Sequence, residues 1–368
     1  MHTTTTRRPV GRLALGLAVA GAILLAACTP VTPPKRPTSG PGSTASYISS
    51  GATELSEGSG TSGTRVWWYV PKTLKGGSSA PVVVLLHGFM LLAPDIYRPM
   101  IDHYTRQGII VIYPQFNKGG FDVLSDTDQN AMLTKAIAGT NLALSRLGAK
   151  ADTSKLYLFG HSLGGLLASV WQGAGGPTPK GIVLANPSTD ASVGMPDFVK
   201  GLVNITPIPY TSLVGATTAP TVVLTGDADT IAPSSQSIDL WNRIPSAAAR
   251  SVFQARSDDH GKPALTADHM SPIQDSGIIP SWLMGTFGGD AEDDAMDWRF
   301  YESALDQMLA GPRRPRGGGG AGAAGGGGGG GPPPARQPAV HASDRAHSSA
   351  PSSGVATGFG AFGRRTAQ

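Results

Sequence analysis

Ser162 lies in Gly160-His161-Ser162-Leu163-Gly164, a G-x-S-x-G pattern. The run "KLYLFG" before it reads as a buried strand, and "GGLLASVWQGA" after it reads as a helix. A sharp strand-to-helix turn would lift the serine hydroxyl off the sheet, and small neighbours avoid clashes in the strained backbone. That is a nucleophile's setting, and it would point the Leu163 N–H at a developing oxyanion. The plainer reading is a tight βα turn in which Ser162 only caps the helix.

A serine hydroxyl is a poor nucleophile without a base, and the base needs an orienting carboxylate. In this kind of turn the chain order is Ser, then Asp or Glu, then His. "LTGDADTIAP" follows a buried strand and offers Asp227 and Asp229. Asp229 is preferred, because a turn set by Gly226 aims it across the strand ends. Asp227 is placed to bond the turn's own amides. Only His260 and His269 follow the acid and precede the C-terminal low-complexity segment. Short reach from the last strand favours His260; the more apolar setting of "ALTADHMSP" favours His269. His260 is the first choice and His269 the alternative. "HGFM", His87–Met90, follows the first buried strand and supplies a second oxyanion donor. The Phe89 N–H is preferred, with Met90 as the fallback. No set of metal ligands stands out. Asp122, Asp126 and Asp128 read as a helix N-cap and a solvated loop, His103 as a surface or satisfied packing histidine, and His161 as packing behind the serine.

These groups need elements to carry them. Expected strands are Arg65–Val70, Pro81–Gly88, Gly108–Gln115, Lys155–Gly160, Gly181–Pro187, Pro220–Gly226 and Arg250–Arg256. Between them, helical spacing appears at Pro94–Gln107 (with Pro99 as a break or kink), Asp126–Gly148, Gly164–Ala174, Ser234–Ile244 and Asp294–Ala310. Strands alternating with helices imply an α/β fold with a mainly parallel sheet, helices on both faces, and a site at the strands' carboxyl ends.

The chain has 368 residues and a formal net charge of +4. Ten of its 29 basic residues and one of its 25 acidic residues lie at the two ends, so residues 29–310 carry about −5. A nucleic-acid partner is therefore not expected. Residues 1–27 carry Arg7, Arg8 and Arg12 and then an apolar run too short for an ordinary membrane span, which reads as an export signal. Cys28, the only cysteine, follows "LLAA" and fits the acylated cysteine of a bacterial lipoprotein. The expected location is the outer side of the cell membrane, anchored by that lipid. With Cys28 used, no disulfide is possible. Residues 28–45 read as a flexible tether, 46–310 as the folded domain, and 311–368 as a disordered Gly/Pro/Arg-rich tail.

"HGF", "GHSLGG" and "GDADTIAP" with a later histidine, in that order, resemble the α/β-hydrolase superfamily over about Arg65 to Ala310. The spacing is similar to the branch holding bacterial polyester hydrolases, chlorophyllase-like proteins and related lipases. The resemblance implies an eight-stranded, mostly parallel sheet with its first strands antiparallel, and an acyl-enzyme mechanism without a cofactor. Two departures argue against carrying over either group's substrate. The cysteine pair usual near the histidine of the polyester hydrolases is absent, and Leu163 stands where chlorophyllases have another residue. Pro187–Ala219 falls where the superfamily inserts lids, and its Gly, Pro and Thr content predicts a small flap. The expected function is a serine esterase or lipase-like hydrolase with Ser162, Asp229 and His260 (or His269), acting on small-molecule or lipid-like esters. The alternatives are a peptidase or amidase on the same residues, and a catalytically silent surface binding protein.

Overall fold

A computed structural model describes residues 32–193, 200–201, 204–278, 289 and 291–311. The expected signal at 1–27, the cysteine at position 28 and the tail beyond Gly311 lie outside the described residues. So do parts of the expected flap.

Eight strands form one open sheet: β1 (Ala52–Glu57), β2 (Val66–Pro71), β3 (Ala80–Leu86), β4 (Ile110–Pro114), β5 (Ala151–His161), β6 (Gly181–Ala185), β7 (Thr221–Gly226) and β8 (Arg250–Ala255). Their order is β1-β2-β4-β3-β5-β6-β7-β8. β2 pairs antiparallel with both β1 and β4, and every later pairing is parallel. The continuous apolar runs have a simple cause: the middle strands are covered on both faces. Along β3, Val82, Val84 and Leu86 enter one core layer, while Val83 and Leu85 enter the other. This is the two-residue period of a strand.

The first layer is closed by α2 (Gln129–Leu147), α3 (Leu163–Val170) and α4 (Ser234–Arg243), through Met132, Leu133, Leu166, Leu167 and Leu240. The second is closed by α1 (Arg98–Arg106) and α5 (Glu302–Ala310), through Met100, Ile101, Tyr104 and Leu305. Asp128 caps α2, accepting from the Asn130 and Ala131 N–H groups. Asp126 pairs with Lys135 instead of gathering with Asp128 around a cation.

Three expectations need correction. β1 carries no apolar signature, because it is an edge strand with mostly exposed side chains, and only its pairing with β2 reveals it. Pro99 does not break a helix. A short 3₁₀ turn, Pro94–Tyr97, precedes α1, and Pro99 lies in the first turn of α1, where a missing N–H is tolerated. The stretch expected to be a tether up to residue 45 is, where described, docked on the domain. Arg36 pairs with Glu302, the Gly42 N–H donates to Asp306 Oδ2 at 2.7 Å, and Ser43 is buried. Asp306 also meets His103 Nε2 at 3.1 Å and accepts from Gln107 Nε2 at 2.7 Å. His103 is therefore a buried, satisfied histidine that joins α1 to α5.

Asp306 thus ties α5 to two other segments at once, the N-terminal stretch at Gly42 and the C-terminal end of α1. Asp306→Ala strands those donors in a buried site and should cost about 3 kcal/mol of folding stability. It should also expose residues 32–46 to limited proteolysis. Urea denaturation and a protease time course measure both effects, and an unchanged midpoint would contradict this role.

Candidate active site

Ser162 sits where β5 gives way to α3, with φ 55° and ψ −120°. A non-glycine residue in this left-handed region costs on the order of 1–3 kcal/mol and is held only by its surroundings. Those surroundings are tight. A Cβ at Gly160 would lie 2.3 Å from the Gly164 carbonyl oxygen, and one at Gly164 would lie 2.1 Å from that of Leu86. The glycines of the G-x-S-x-G pattern are therefore needed for close backbone approach. They let α3 start directly against the ends of β3 and β5. The Ser162 side chain does not cap α3.

His269 Nε2 lies 2.8 Å from Ser162 Oγ, and His269 Nδ1 lies 2.9 Å from Asp229 Oδ2. The other carboxylate oxygen, Asp229 Oδ1, accepts from the Ile231 and Ala232 N–H groups at 2.9 and 2.7 Å. The carboxylate is thus fixed by the turn beyond β7 and orients the imidazole with its free oxygen. Because Asp229 can only accept, Nδ1 carries the proton and Nε2 is left to accept from the Ser162 hydroxyl. Asp227 faces elsewhere, accepting from the Ser257 N–H and hydroxyl.

His260, the first choice from chain reach, is not at this site. Its side chain is 86% exposed and pairs with Asp258. The reason is a hairpin-like excursion. Asp258 and Leu265 exchange backbone hydrogen bonds in both directions, placing His260 in the solvent-facing loop between them. The chain then returns to the sheet. The Ala228 N–H donates to the Ala267 carbonyl, and a Cβ at Gly226 would lie 2.0 Å from that carbonyl oxygen. This return delivers His269, the alternative, to the end of β7. The longer stretch of chain has the shorter path in space.

Phe89 and Leu163 line the same cavity as Ser162 and His269. Among the described residues, neither backbone N–H has a hydrogen-bond partner, and Leu163 opens α3, where the helix's first amides are free. Met90, the fallback donor, has φ 68° and also lines the cavity. The cavity has a volume of about 300 Å³, and its wall is largely aliphatic, with Leu92, Ile96, Met132, Ile205 and Ile231 among its side chains. In the described part of Pro187–Ala219, Tyr210–Leu213 and Val214–Ala216 form short helical turns.

Behind the site lie groups to which the sequence assigns no part in the chemistry. His161 is fully buried between Tyr97 Oη, 2.8 Å from its Nδ1, and the His269 carbonyl, 2.8 Å from its Nε2. Asn186, at φ 46° after β6, donates to the Asp268 carbonyl at 2.9 Å. Its one sequence signal is weak: asparagine is among the few residues that tolerate a left-handed turn. Nothing in the sequence marks Tyr97. His87 is stacked on Phe116 with ring centroids 3.8 Å apart. Burial pushes His87 down to about 4; burial, with the neighbouring His269 adding to it, pushes His161 down to about 3. Burial raises the Asp268 carboxyl to about 6.

A family model described as chlorophyllase matches residues 69–171, from within β2 through the end of α3. Solved structures with similar chain traces include esterase B from Lactobacillus rhamnosis, at 15% identity and TM-score 0.45, covering 70% of this chain and 85% of that one. Est1E from Butyrivibrio proteoclasticus is 15% identical with TM-score 0.43, covering 60% and 90%. TT1662 from Thermus thermophilus is 15% identical with TM-score 0.46, covering 71% and 100%. No curated protein matches the chain.

The two buried imidazoles set a pH dependence. Their folded pKa values lie below the 6.5 of an exposed histidine, so the unfolded chain binds more protons below that pH. Their contribution is complete above about pH 6.5 and is lost as the pH falls toward 4, at up to about 1.4 kcal/mol per pH unit for each histidine. His161→Gln removes one of the two, so its curve of stability against pH should be shallower than that of the wild type between pH 6 and 4. Parallel curves in urea titrations would contradict this assignment.

Proposed function

We propose that this chain, an α/β-hydrolase by the order and direction of its strands, is a serine hydrolase that cleaves carboxylic esters through an acyl-enzyme. The observation that carries this reading is the unbroken series of hydrogen bonds from Ser162 Oγ through His269 to Asp229, opening onto an apolar cavity.

In this reading His269 Nε2 takes the hydroxyl proton as Ser162 Oγ bonds to the ester carbonyl carbon. The oxyanion is met by the N–H groups of Leu163 and Phe89, with the positive end of α3 behind the first. Asp229 holds the imidazole in the required tautomer and stabilises the imidazolium. The tetrahedral centre then collapses: the carbon–alkoxy bond breaks, and His269 passes its proton to the leaving oxygen. Water repeats the sequence, giving up a proton to His269 and releasing the acid with the proton restored to Ser162. The aliphatic wall supports an apolar acyl group. The location expected from Cys28 remains part of the proposal: an enzyme held outside the bacterial cell membrane by an N-terminal lipid. Among the described residues no helix is long and apolar enough to cross a membrane.

Ser162→Ala and His269→Ala should each lower turnover of p-nitrophenyl butyrate by at least about a thousandfold, because these groups act as a unit. His260→Ala should stay within about twofold of wild type, since a surface change away from the site leaves the chemistry intact. Loss of activity in His260→Ala with activity kept in His269→Ala would overturn the assignment.

The cavity makes a second claim. From acetate to butyrate esters, kcat/KM should rise up to about fourfold per added CH₂, the equivalent of about 0.8 kcal/mol of apolar burial. A charged succinyl ester should be a poor substrate. Equal rates across this series would contradict acyl binding in the cavity.

A further inference from the structure

We propose that Tyr97 and His161 form a positioning strut, which runs from the Gly88 N–H to the carbonyl oxygen of His269 and holds the base and the oxyanion loop on one buried frame. The inference rests on the serine hydrolase reading and adds to it residues that touch no reacting atom.

The direction of every bond in the strut is determined. The His269 carbonyl can only accept, so His161 Nε2 must carry the proton that spans their 2.8 Å. His161 Nδ1 is then an acceptor, and the Tyr97 hydroxyl donates to it at 2.8 Å. The Tyr97 oxygen is left to accept from the Gly88 N–H at 3.0 Å. Reversing any member would set two acceptors or two donors face to face. His161 and Tyr97 are 0% and 1% exposed, so water cannot substitute for either. The low pKa of His161 keeps the ring neutral, as this pattern requires.

The strut has a clear purpose. His269 stands on a loop beyond the hairpin at Asp258–Leu265, not on a strand. Gly88 directly precedes Phe89, on a different loop. Neither loop has rigid secondary structure of its own at the site. His161 projects from the end of β5, next to Ser162, and so ties both loops to the element that carries the nucleophile. Asn186 adds a second, longer contact to the His269 carbonyl at 3.4 Å. Displacing a catalytic group by about 1 Å can cost roughly a hundredfold in rate, so a backbone anchor on the base bears on kcat, not on substrate affinity.

The test compares the wild type with Tyr97→Phe, His161→Leu, His161→Gln and Ser162→Ala, each as the full chain. Readouts are p-nitrophenyl butyrate kinetics, thermal melting, and the low-field NMR resonance of the His269 Nδ1 proton. Tyr97→Phe and His161→Leu should lower kcat about 10–100-fold with KM within about twofold. His161→Gln keeps one donor and one acceptor, and should recover to within about fivefold of wild type. The low-field resonance should stay sharp in the wild type and in His161→Gln, and broaden in the other two strut variants. Wild-type kcat and a sharp resonance in folded Tyr97→Phe would overturn the strut. So would a His161→Gln variant as impaired as His161→Leu, since packing alone would then explain both. If His161→Leu does not fold, the nearly isosteric Tyr97→Phe decides. Ser162→Ala separates the two levels: hydrolysis surviving in it refutes the serine mechanism, and the resonance still tests the strut by itself.

Discussion

The left-handed backbone at Ser162 is the constraint from which the rest of the site follows. At φ 55° the hydroxyl stands off the end of β5 and does not fold back to cap α3. No residue with a Cβ adopts that conformation for its own sake. It is kept because Gly160 and Gly164 allow backbone contacts that any Cβ would block. The sheet is equally necessary. β3 and β6 flank β5 in parallel, so three strands end together and their following loops meet at the serine. A parallel arrangement is what places chemistry at one edge of such a sheet.

Electrostatics at the site depends on order more than on exposure. Asp229 is almost fully buried, yet its carboxylate has two backbone N–H partners and the imidazole. Fixed dipoles stand in for water, so the charge is held in place before substrate arrives. The imidazoles nearby follow a different rule. His87 and His161 are buried without a carboxylate partner and stay neutral, one stacked against Phe116 and the other bonded between a hydroxyl and a carbonyl. Three histidines near one serine thus have separate environments, and only His269 has both a carboxylate and a serine within reach.

Much of this was legible in the sequence. The buried strands were visible as apolar runs because they are covered on both faces. Ser162 was visible because its glycines are demanded by backbone contact, and Asp229 because Gly226 and the turn after β7 limit where a carboxylate can point. Chain reach points to His260 instead of His269 for a physical reason. Counting residues from β8 measures contour length, whereas the hairpin between Asp258 and Leu265 consumes that length and returns the chain to the sheet. β1 leaves no mark in the sequence because an exposed edge strand needs no apolar alternation. The docking of the segment around Arg36 and Gly42 is not legible in sequence because its anchors, Glu302 and Asp306, lie more than 260 residues away. Pro- and Gly-rich composition describes a chain's freedom, not the partners that can remove it.

The central claim is that the Ser162 hydroxyl attacks an ester carbon and is transiently acylated. The direct measurement is rapid acid quench of the protein during turnover of p-nitrophenyl butyrate, followed by peptide mass spectrometry. A butyryl group on the peptide containing Ser162 is the result expected from the geometry. Steady hydrolysis with that peptide unmodified, or with the acyl group on another residue, would contradict it.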